Sequence, residues 1–113
     1  MDQIGQRGTF LGDWPLLLAA REGHAEVVRM LLDGGADANK ATTGDGWTPL
    51  LMSAGNGHLE VVRMLLDGGA DANMAGIDNG ETPLYVAAKH GHAEVLRMLL
   101  DGGADQQGED RQW

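Results

Sequence analysis

Histidine is the residue type that first suggests chemistry in this sequence. His24, His58 and His92 recur 34 residues apart, a ladder that offers imidazole nitrogens to a metal. Zinc needs its ligating nitrogens at about 2.0–2.1 Å from a single ion. Helices packed side by side lie about 8–10 Å apart, so adjacent rungs cannot share one ion. His90 and His92 are close in sequence, but Gly91 turns the chain between them and leaves a weak, adventitious pair. The run Asp71-Ala72-Asn73-Met74-Ala75-Gly76 resembles the opening of a calcium loop. It fails where an oxygen ligand is needed, at Ala75, and where the closing glutamate is needed, at Thr82. A polar turn whose Asp and Asn side chains bond local backbone fits it better. The one serine, Ser53, has no base and acid placed to activate it, because His58 begins a different helix. The glycine doublets at 34–35, 68–69 and 102–103 lack the spacing of a phosphate-binding loop. No catalytic residue, cofactor or metal is expected.

Composition narrows the partners. The chain carries 8 Lys and Arg against 17 Asp and Glu, a formal net charge of −9. That charge repels phosphates, so neither nucleic acid nor an anionic membrane is an expected partner. It would steer a protein with a basic surface toward the chain. There are no cysteines, and aromatics make up only 4% of the residues, so the core must come from Leu, Val, Ala and Met. The longest apolar run, at 15–20, is far too short to cross a bilayer, and residues 1–8 lack the apolar stretch of a signal peptide. The expectation is a soluble, cytoplasmic domain.

The elements that must position these residues repeat. Gly-His-Ala-Glu-Val-Val-Arg-Met-Leu-Leu-Asp-Gly-Gly-Ala-Asp-Ala-Asn at 23–39 returns at 57–73 with one change and begins again at Gly91. Ahead of each copy stands a second shared element: Trp14-Pro15-Leu16, Thr48-Pro49-Leu50 and Thr82-Pro83-Leu84, each leading into small residues. Thr48 and Thr82 suit a helix N-cap, and the prolines after them suit the first helical position. Gly57 and Gly91 suit a left-handed stop. The second helix carries Val61, Val62, Leu65 and Leu66 on one apolar stripe, and Asp67-Gly68-Gly69 ends it. Helices this short are marginal alone in water, so the units must bury their faces against one another.

Taken together, Thr-Pro-Leu, Ala-Ala, Gly-His, Val-Val-Arg-Met-Leu-Leu and Gly-Ala-Asp-Ala-Asn resemble the ankyrin repeat. The near-identity of the copies also resembles the consensus-based designed members of that family. The resemblance implies an all-α ankyrin-repeat solenoid of three stacked helix–turn–helix units with β-turn or hairpin-like loops. Residues 1–12 would form an N-terminal extension and 106–113 a C-terminal tail, with repeats at 13–46, 47–80 and 81–105. Three departures stand out. Leu17, Leu51 and Tyr85 occupy the family's usual histidine position. Trp14 replaces the capping threonine, which predicts a first helix weaker at its start. The period is 34 rather than the usual 33, with the extra residue placed in the loops 40–47 and 74–81. The last unit keeps the interior pattern at Val95, Leu96, Met98, Leu99 and Leu100, so its outer face is expected to expose apolar surface and to favour self-association or fraying. Trp113 in the tail could cover part of that face, and Ile4, Phe10 and Leu11 could cover the first unit.

The family's use implies binding of a partner protein through the concave face made by loop fingers and first helices. Sequence differences between units cluster there: Asp13, Trp14, Arg21, Thr43, Asp45, Trp47, Asn56, Asp78, Glu81, Tyr85, Lys89 and His90. Two other roles fit the sequence. One is a repeat scaffold, or a fragment of a longer array, with no dedicated partner. The other is a substrate of an asparaginyl hydroxylase at Asn39 and Asn73.

Overall fold

The computed structural model describes residues 13–76 and 80–102. Among these, six α-helices form three pairs: α1 Asp13–Glu22 with α2 Ala25–Asp33, α3 Pro49–Asn56 with α4 Leu59–Asp67, and α5 Pro83–Lys89 with α6 Ala93–Asp101. No described residue lies in a strand. The caps fall on the expected threonines. Thr48 and Thr82 are extended, and each hydroxyl accepts the N–H three residues on, from Leu51 and Tyr85, at 3.1 Å. Gly57 closes α3 at φ +77°, where a left-handed residue satisfies the last carbonyls. Because Thr48 is buried, Thr48→Ala is expected to cost about 1–2 kcal/mol, read as a lower urea midpoint. An unchanged midpoint would mean that the Leu51 N–H finds another acceptor.

The pairs stack into two layers. First helices touch in series, α1 on α3 on α5, and second helices do the same, α2 on α4 on α6. Leu16, Leu50 and Leu51 meet Val28, Val61, Val62, Leu65 and Leu99 in one continuous core. Small residues at Ala19, Ala20, Ser53, Ala54 and Ala87 are buried where the layers close up. Ser53 Oγ donates to the Leu50 carbonyl at 3.2 Å. The outer face of the second helices carries exposed ion pairs such as Glu60–Arg63, 2.6 Å apart, each contributing about 0–1 kcal/mol.

Polar stitches hold one unit to the next. His58 Nε2 donates to the Arg21 carbonyl at 2.9 Å, and His92 Nε2 to the Gly55 carbonyl at 3.1 Å. Each ring lies over a glycine at positive φ, Gly23 and Gly57, where a Cβ would stand 2.7 Å from it. The histidine ladder therefore joins neighbouring units through their backbone. Asn39 does the same from the loop: its amide donates to the Gly69 carbonyl at 3.1 Å and its carbonyl accepts the Asp71 N–H at 2.6 Å. Asp37 and Asp71 each accept the N–H two residues on, from Asn39 and Asn73, at 2.9 Å. These carboxylates shape turns.

Some expectations need correction. Among the described residues α1 spans Asp13–Glu22, so Trp14 lies within the helix and not at an extended cap. The last unit's apolar pattern is only partly exposed. Val95 and Leu99 are buried against the preceding unit, and Leu100 faces outward. The opposite end exposes more, at Leu18, Val27 and Met30. Ile4, Phe10, Leu11 and Trp113 lie outside the described residues.

Candidate functional site

The fingers leave the stack beside the first-helix layer. In the first finger the Thr42 N–H donates to the Trp47 carbonyl at 2.9 Å, and the Gly46 N–H to the Thr42 carbonyl at 3.1 Å. The Thr42 hydroxyl donates to the Asp45 carboxylate and accepts the Trp47 N–H. This ties a hairpin-like tip without making a strand. The second finger repeats the backbone bonds, Gly76 N–H to the Glu81 carbonyl and Gly80 N–H to the Gly76 carbonyl, both at 3.0 Å. Gly76 stands where Thr42 does, so that position has no hydroxyl to make the bonds that Thr42 makes.

Between the first finger and the first helices runs an open groove of about 570 Å³, lined by Trp14, Pro15, Leu17, Leu18, Arg21, Thr42 and Met52. Trp14 and Leu18, one turn apart on α1, are exposed. Arg21 continues the same line, and its Nε pairs with Glu22 at 3.0 Å. The groove is thus an apolar floor with a cation at one end. Leu18 and Met52 were not singled out from sequence. Their signal was their place, immediately before the small pair in each first helix, where Val86 is buried in the third unit.

A family model described as ankyrin repeats (3 copies) matches residues 16–110. The chain belongs to the ankyrin repeat family. Ankyrin repeats are generally protein-interaction modules and typically not enzymes. A search of curated proteins returned no match. Among the described residues no helix is long and apolar enough to cross a membrane.

The ankyrin stack places the sequence-derived candidates unevenly. Trp14 and Arg21 line the groove, and Thr43 is exposed at the finger tip beside Asp45. Trp47 is half-buried and packs against the core. Asp13 is only 2% exposed, and its carboxylate accepts the Asp37 N–H at 2.9 Å. It braces α1 against the loop after α2, so a partner cannot reach it without opening the unit. Asn56 is exposed, with its amide donating to the Arg21 carbonyl at 3.1 Å. On the third unit Glu81, Tyr85 and Lys89 gather: Lys89 Nζ lies 3.3 Å from Glu81 and 6.0 Å from the Tyr85 ring centre. His90 is exposed, its ring centre 6.3 Å from that of His92. Asp78 lies outside the described residues.

Proposed function

We propose that this ankyrin array binds a partner protein along the groove between the first finger and the first helices. The observation that carries the proposal is the exposed Trp14–Leu18 stripe over an apolar floor, closed at one end by Arg21. Tryptophan and arginine are enriched among residues that dominate binding energy. Tyr85 and Lys89 would extend the contact to the third unit, with Thr43, Asp45, Glu81 and His90 on the rim. The net charge of −9 favours a partner with a basic surface and faster association at low salt. Repeats taken at 13–46, 47–80 and 81–105 would each contribute one first helix to the face.

Hydroxylation of Asn39 and Asn73 is a weaker alternative, since Asn39 spends both ends of its amide on the next unit. A partner recovered by pull-down would be titrated calorimetrically against Trp14→Ala, Leu18→Ser and Arg63→Ala. The first two are expected to weaken binding by about tenfold or more, as truncated hot spots do. Arg63→Ala, on a second helix, is expected to change nothing. Equal affinity for all three would remove the groove from the interface.

A further inference from the structure

Each internal boundary is built the same way, and the two ends of the stack carry the halves of one more. At both boundaries a histidine enters a socket on the preceding unit, His58 over Gly23 and His92 over Gly57. Gly91 forms a third socket. Its φ of +75° matches the +83° and +77° of the other two, yet no described atom comes within 4 Å of its Cβ position. The space is an open cavity of about 250 Å³, lined by Ala87, Ala88, Gly91, His92, Ala93 and Leu96.

The matching plug stands at the other end, where His24 is exposed. Beside it Val27 is 44% exposed, whereas its equivalents Val61 and Val95 are 1% and 2% exposed against the units before them. Met30 is also exposed, while Met64 and Met98 are half-buried. On the socket side Leu100 is exposed. Its equivalents Leu32 and Leu66 reach the next unit, 3.1 and 3.0 Å from the Cβ positions of Gly68 and Gly102. The ends are unlike each other, and each matches a surface that is already paired inside the chain.

We propose that the protein associates head to tail with a second copy. His24, Val27 and Met30 of one copy seat on Gly91, Leu96 and Leu100 of the other, repeating the boundary found twice within each chain. Such a contact is heterologous: every added copy leaves one head and one tail free, so assembly does not close at a dimer. The excess negative charge opposes it, so added salt strengthens it by screening the repulsion.

Sedimentation velocity on the full chain tests this with three variants: Val27→Glu and Met30→Glu on the head, and Leu100→Glu on the tail. Circular dichroism confirms the helices of each, and Met30→Glu stands in if Val27→Glu does not fold. The wild-type average mass is expected to rise with concentration beyond twice the 12.0 kDa monomer. Each variant alone is expected to stay monomeric. An equimolar mixture of head and tail variants is expected to form a dimer and nothing larger, because one sound tail meets one sound head. A wild type monomeric throughout, as flanking residues folded over the ends would make it, overturns the proposal. So does a single variant that still dimerises, which marks a symmetric contact, or a mixture that stays monomeric.

Discussion

Leu51→Ala is expected to cost roughly 2–5 kcal/mol, the range for emptying a buried leucine site. Leu51 has no exposed surface and lies in the middle unit, within the core that joins all three. Its backbone N–H still reaches Thr48 after the change, and alanine is the better helix former, so the loss comes from packing alone. A short helix pair persists only through its neighbours, so a cavity at the centre loosens both boundaries. Tyr85→Ala, at the same position one unit later, is expected to shift stability by less than about 0.5 kcal/mol, because Tyr85 is 53% exposed. Urea denaturation followed by circular dichroism reads both. A Leu51→Ala loss under about 1 kcal/mol would remove Leu51 from the shared core.

The second large effect is expected at Gly57. Gly57→Ala puts a Cβ on a residue at φ +77°, which costs about 1–2 kcal/mol for an L-residue in the left-handed region. The same Cβ arrives 2.7 Å from the His92 ring, pushing it off the Gly55 carbonyl and removing a hydrogen bond of about 0.5–1.5 kcal/mol. Gly91→Ala shares the backbone cost at φ +75° but meets no described atom. In dilute solution the difference between the two variants isolates the histidine stitch. Equal losses would show that His92 leaves its socket without penalty.

Much of this protein could be read along the chain. The 34-residue spacing, the threonine caps at Thr48 and Thr82 and the left-handed stop at Gly57 depend on a few neighbouring residues, and they stand where expected. That neighbouring histidines cannot share an ion was legible from their spacing; that His58 and His92 reach the Arg21 and Gly55 carbonyls of the preceding unit was not, because those partners lie 37 residues away. Asp13 was harder. It sits at the variable position before the first Trp-Pro-Leu, as Trp47 and Glu81 do in theirs. Its burial comes from the Asp37 N–H, 24 residues further on, and no local pattern reports that bond. The groove was equally hidden, because its walls come from a finger and two first helices of different units.

The sequence alone determined what each unit is: two helices, their starts and stops, the apolar stripe, and the family. These follow from backbone preferences and from side chains three or four residues apart. Only the tertiary structure decided what each position does. Val27 and Val61 sit in nearly the same seventeen residues, yet one is exposed and the other buried. The cause is the neighbour. Burial in a stack is set by whether another unit lies alongside, and two copies of one local sequence cannot encode that difference.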